Sequence, residues 1–215
     1  LLEDVSLPTR LTTIGSGAFR SCSSLTEITV PEGVMTIGAE AFQWCNKLIS
    51  VSLPSTLESI GYTQDNDGLQ MYLFRYCNLL EEINVADGND YFVSQNGILY
   101  GKTDGEITDL YPVPVNNSGI DGVVEVPSTL TKVWSGAFKE NVGLLKIDFG
   151  NVTGNVEFGK EVFYNCKNLS EVVLPDGIAA IGHYMFYQCN SLTEITVPNT
   201  CLLYTSPSPR DRSLS

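Results

Sequence analysis

Apolar and polar positions along the chain recur in one fixed order. Leu7-Pro8, Leu11, Ile14-Gly15, Ala18-Phe19, Cys22, Leu25, Ile28 and Val30-Pro31 are followed by Val34, Ile37-Gly38, Ala41-Phe42, Cys45, Leu48, Val51 and Leu53-Pro54, a period of 23 residues. The third copy is 32 residues long, with nine inserted between Gly61 and Leu73. The fourth begins at Val126-Pro127 and carries Trp134 where glycine is usual and Asn141 where cysteine is usual. The fifth, Phe158-Gly159 to Leu174-Pro175, exceeds the period by two, and the sixth returns to 23 and ends at Val197-Pro198. Repeats of this length predict coils that stack on their neighbours, because one coil cannot bury its own apolar face.

Within each copy, Leu-x-x-Ile-x-Val-Pro alternates apolar and polar residues and predicts a short strand ended by the proline. Six such strands fall near 26–30, 49–53, 81–85, 145–149, 170–174 and 193–197. Stacked in parallel about 4.8 Å apart, they would form one continuous sheet. Ala18-Phe19, Cys22 and Leu25 are spaced by three, which predicts a turn or two of α- or 3₁₀-helix on the opposite face. Phe19, Phe42, Phe74, Phe138, Phe163 and Phe186 share one phase and predict a single buried ladder. Between the third and fourth copies, Asn96-Gly97 flanked by apolar runs predicts a β-hairpin through a type I′ turn.

The recurring Ile-Gly-x-x-Ala-Phe-x-x-Cys-x-x-Leu-x-x-Ile-x-Val/Leu-Pro, clearest at Ile14 to Pro31 and Ile37 to Pro54, resembles the BspA-like leucine-rich repeats of bacterial and some protozoan surface proteins. The resemblance covers residues 2 to 198. It implies an α/β leucine-rich-repeat solenoid over residues 1–200, with a parallel β-sheet on one face, short helical or 3₁₀ turns on the other, and a β-hairpin insertion at 86–125. The chain opens mid-pattern at Leu2, so its true start, with any signal peptide, is expected upstream. Residues 201–215 leave the pattern: Tyr204-Thr205 and Ser208-Pro209 stand where Ile-Gly and Ala-Phe belong, and Cys201 to Asp211 resemble a translated sequencing-library adapter. That tail is expected to be foreign and to add no coil.

Composition narrows the partners. With 12 basic and 25 acidic residues the net charge is −13, which disfavours nucleic acid or anionic lipid as partner. No apolar run approaches the roughly 20 residues of a membrane-spanning helix. Cys22, Cys45, Cys77, Cys166 and Cys189 share one repeat phase and predict buried thiols, not a metal cluster or disulfides. His183 has no Ser or Cys beside it to activate. Glu27, Glu82, Glu171 and Glu194 share the outward strand position, and stacking alone would bring Glu171 and Glu194 about 5 Å apart, the spacing of a retaining glycosidase. A flat sheet offers no means of raising one pKa, so a solvated acidic stripe is the reading. Thr63 to Gly68 lacks the terminal Glu of a calcium loop, and Asn116, Asn151 and Asn168 head glycosylation patterns that occur often by chance. No catalytic residue, cofactor or metal is expected.

The resemblance implies a secreted or cell-surface binding scaffold, not an enzyme, that recognises a host or neighbouring-cell protein or glycan through its repeat surface. The outward strand positions that would carry this are Glu27, Thr29, Ser50, Ser52, Glu82, Asn84, Lys146, Asp148, Glu171, Glu194 and Thr196, with Val173 among them. A ligand-free stalk and an accessory region of a larger secreted enzyme are the rival readings.

Overall fold

Alternation in the repeat drives one apolar column inward on each strand. The computed structural model describes residues 2–65, 68–70, 73–117, 120 and 122–196, with backbone alone at 63–65 and 68–70. The tail at 201–215 and the side chains of the Thr63 to Gly68 insertion lie outside the described residues. Strands Glu27–Thr29, Ser50–Leu53 and Glu82–Val85 pair in parallel, with Ile28, Val51 and Ile83 in one column. Val123–Glu125, Lys146–Asp148, Glu171–Val173 and Glu194–Thr196 pair in the same way around Val124, Ile147, Val172 and Ile195. Six of these seven strands fall where the alternation predicts them, Val123–Glu125 being the addition, and they form two stacks and not one continuous sheet.

Each coil also has a second short strand, unforeseen from the sequence. Thr13–Ile14, Thr36–Ile37 and Ser59–Ile60 pair in parallel in the first stack, and Lys132–Val133, Asn155–Phe158 and Gly177–Ile178 in the second. These strands explain the Ile-Gly pairs. A Cβ added to Gly38 would sit 2.3 Å from the Ser16 nitrogen, one on Gly61 2.5 Å from Ala39 N, and one on Gly159 2.3 Å from Ser135 N. The glycines are therefore set by close approach between coils. Trp134 escapes the rule because its coil follows the break between stacks, and its ring packs against Tyr111 at 5.5 Å while its indole N–H donates to Asp109 Oδ1 at 3.1 Å.

The expected helical face is a correction: the described residues contain no helix. The three-residue spacing does produce i to i+3 hydrogen bonds, from Cys22 N–H to Phe19 O (3.0 Å) and from Leu25 N–H to Cys22 O (3.1 Å). Left-handed residues interrupt them. Gly17 and Ser21 have φ of 65° and 63°, and the same two columns recur at Glu161 and Asn165 (57° and 59°) and at Tyr184 and Gln188 (53° and 58°). Each reversal turns an N–H out of its own coil toward the next. Gly17, Phe19 and Ser21 donate to Ala39, Ala41 and Gln43 at 2.8–2.9 Å, so the face is a second ladder of coil-to-coil hydrogen bonds.

The segment between the stacks is a three-stranded antiparallel meander, Phe92–Gln95, Ile98–Thr103 and Glu106–Leu110. Asn96-Gly97 makes the first hairpin turn with φ of 51° and 74°, the double reversal a type I′ turn requires. Asp104-Gly105 makes a second one (54° and 85°) that the sequence reading passed over. The last strand pairs in parallel with Lys132–Val133, which starts the second stack.

Buried asparagines anchor this irregular region. Asn89 Nδ2 donates to Pro54 O (3.0 Å) and Leu57 O (2.9 Å), while its Oδ1 accepts from Tyr91 and Phe92 N–H. Asn117 Nδ2 donates to Glu81 O and Asn96 O, and Asn141 bridges Pro114 O to the Gly143 and Leu144 amides. Asn89→Ala would strand backbone groups without water, so it should lower the unfolding free energy by about 2 kcal/mol in urea titrations.

Two apolar cores result. Phe19, Phe42 and Phe74 stack with centroids 5.6 Å apart, and Phe138, Phe163 and Phe186 at 5.5 Å. The six form two ladders of three and not a single one. Val113, whose N–H donates to Ala137 O as Phe19 does to Ala41 O, takes the phenylalanine position between them.

Candidate functional site

The sequence-predicted surface exists as two patches. In the first stack Glu27, Ser50 and Glu82 form one outward column and Thr29, Ser52 and Asn84 the next. In the second, Lys146, Glu171 and Glu194 align, as do Asp148, Val173 and Thr196. Val123 and Glu125 extend these columns and were missed, because their strand precedes the fourth copy's first recognisable residues. The meander separates the patches. Ile83 N–H donates to Gly97 O (3.0 Å) and Val85 N–H to Ser94 Oγ (3.0 Å), which covers the outer edge of the third strand beside Glu82 and Asn84.

The second patch is the more charged. Lys146 Nζ lies 2.6 Å from Glu171 Oε1, and that hydrogen bond raises the lysine's pKa, with Asp148 and Glu194 adding to it. At a half-exposed site such a pair adds little stability. Glu171 and Glu194 are neighbours in register. Among the described residues no group of His, Cys, Asp and Glu is placed to hold a metal ion. Among the described residues no helix is long and apolar enough to cross a membrane. His183 is exposed on the turn face.

The cysteine column has a structural explanation. Four thiols donate to the phenylalanine carbonyl of the preceding coil: Cys45 to Phe19 O (3.1 Å), Cys77 to Phe42 O (3.1 Å), Cys166 to Phe138 O (2.9 Å) and Cys189 to Phe163 O (2.9 Å). Asn141, in the cysteine position of the fourth coil, donates instead to Pro114 O (3.3 Å), one residue past the phenylalanine position. All five described cysteines are free. Burial pushes the Cys77 and Cys166 thiols up to about 12. Because the thiolate is the nucleophile, alkylation of both at pH 8 should be at least about tenfold slower in the native chain than in urea, as read by mass spectrometry.

A further feature was not visible in the sequence. Between the two stacks the turn face opens into a cleft of about 470 Å³, lined by Leu73, Phe74, Tyr76, Leu80, Tyr111 and Pro112 among others.

With this geometry in place, a family model described as BspA type leucine-rich-repeat region matches residues 1–96 and 120–206 in six copies. The chain belongs to the BspA-type leucine-rich-repeat family. The unmatched interval contains most of the meander, and the second matched stretch reaches into the segment that departs from the repeat. The crystal structure of the pneumococcal vaccine antigen PcpA superposes with a TM-score of 0.66 at 24% identity, covering 89% of this chain and 49% of that one. A leucine-rich repeat protein from Bacteroides ovatus gives 0.54 at 22%, over 91% and 54%. This BspA-type chain thus spans about half the length of these solved relatives. No curated protein matches it.

Proposed function

We infer that the chain is the repeat region of a secreted or surface-displayed protein that recognises a macromolecule, protein or glycan, through its strand face. The observation that carries this reading is the alignment of Lys146, Glu171, Glu194, Asp148 and Thr196 in two columns on strands paired in parallel register. Such columns present charged and hydroxyl groups at fixed spacing before a ligand arrives, which reduces the ordering cost of binding. Membership of a repeat family supports the reading, as does the vaccine-antigen role of PcpA, a protein similar in fold. The acidic balance directs the choice toward a partner that is cationic or rich in hydroxyl groups.

The test compares the intact chain with a variant carrying Asp148→Ala, Glu171→Ala, Glu194→Ala and Thr196→Ala on arrays of extracellular-matrix proteins and glycans. The intact chain should bind at least one array member, and the variant should lose about tenfold or more in affinity while unfolding at an unchanged temperature. Equal binding by both, or none by either, would favour a stalk that carries other domains.

A further inference from the structure

The turn-face ladder is interrupted between the third and fourth coils, and the interruption leaves main-chain groups facing the cleft. In every other described pair of adjacent coils the phenylalanine N–H and the N–H two residues on donate to the next coil: Phe42 to Leu73 O and Trp44 to Arg75 O, Phe138 to Val162 O and Glu140 to Tyr164 O, Phe163 to Met185 O and Asn165 to Tyr187 O. The third coil has the equivalent donors, Phe74 N–H and Tyr76 N–H. Neither meets an acceptor among the described residues. The facing segment, Tyr111 to Pro114, passes its own Val113 N–H onward to Ala137 O, and Pro112 C=O, the equivalent of the accepting Ala41 C=O, receives no donor among the described residues. The ring stack stops at the same place, with Phe74 on one side of the cleft and Val113 on the other. These main-chain groups are only partly buried, and a slot of mixed polar and apolar lining bounded by them matches the way sheet edges capture peptides.

We propose that this cleft is a peptide-binding slot that takes a short segment of a partner protein in the chain's own turn conformation and so completes both the hydrogen-bond ladder and the phenylalanine stack. The segment needs an aromatic residue preceded by a small one, with residues that tolerate positive φ four positions apart, as in Gly17-Ala18-Phe19-Arg20-Ser21. Laid into the cleft, its carbonyls at the Ala18 and Arg20 positions accept from Phe74 and Tyr76 N–H. Its N–H at the Phe19 position donates to Pro112 C=O. This site is independent of the strand face, so the four-alanine variant of that face should bind the segment as the intact chain does.

The probe is a synthetic peptide copying residues 16–24, added to the full chain while amide hydrogen exchange is followed by NMR. In the free chain the Phe74 and Tyr76 amides should exchange freely, and at saturating peptide they should slow by at least about tenfold. A peptide with alanine at the Phe19 position, and one N-methylated at that residue, should each require at least about tenfold higher concentration. The proposal is overturned if Phe74 and Tyr76 are already protected in the free chain, if the peptide leaves their exchange unchanged, or if the N-methylated peptide acts as well as the parent.

Discussion

Phe163→Ala should lower the unfolding free energy by about 3–5 kcal/mol, measured by urea titration with circular dichroism. The ring is fully buried between Phe138 and Phe186 at 5.5 Å each and meets Phe149 edge-on at 6.5 Å, so its removal leaves a cavity touching three aromatic faces. Coils report on their immediate neighbours, so the position in the stack decides the cost. Phe19 is only half-buried and stacks on Phe42 alone among the aromatic contacts, so Phe19→Ala should cost about 1–2 kcal/mol. Equal losses at the two positions would mean that the rings do not form the ladder described.

The second large effect comes from adding one methyl group. Gly159→Ala puts a Cβ 2.3 Å from the Ser135 nitrogen and 2.6 Å from its Cα, and backbone cannot yield as a flexible side chain would. The two coils must separate, and the loss should reach about 3 kcal/mol, the upper end for overpacking. Gly15→Ala is the internal control: it holds the same place in the repeat but has nothing within 4 Å, and the change should stay within about 0.5 kcal/mol. If both changes prove equally mild, close coil packing is not what selects glycine.

Period and strand phase were legible in the sequence because alternation at Ile28, Val51, Val172 and their equivalents has one physical cause, burial of every second residue. The turn face was misread because i to i+3 apolar spacing is common to a 3₁₀-helix and to consecutive turns. What separates them is the left-handed residue, and the second such column holds Ser21, Trp44, Tyr76, Glu140, Asn165 and Gln188, only one of them a residue type that favours positive φ. The coil-to-coil ladder holds these residues in place, and no local propensity reveals it. The candidate surface was legible as columns, since register follows from the period. Its division into two patches was not, because it depends on how the Asn96-Gly97 turn docks on the third coil through Ile83 and Val85. Nothing in the sequence around Asn89 and Asn117 showed that their side chains bond main-chain groups of other segments. Their role is visible only once the carbonyls of Pro54, Leu57 and Glu81 lie around them.

The turn face is a ladder of coil-to-coil hydrogen bonds that is interrupted between the third and fourth coils. Residue-resolved amide exchange of the free chain tests it most directly. Phe42, Trp44, Phe138, Glu140, Phe163 and Asn165, which donate to the next coil at 2.7–3.1 Å, should exchange slowly, while Phe74 and Tyr76 should exchange at least about a hundredfold faster. Uniform protection through Phe74 and Tyr76 would show an unbroken stack with no cleft, and rapid exchange at all eight amides would show that the ladder does not exist.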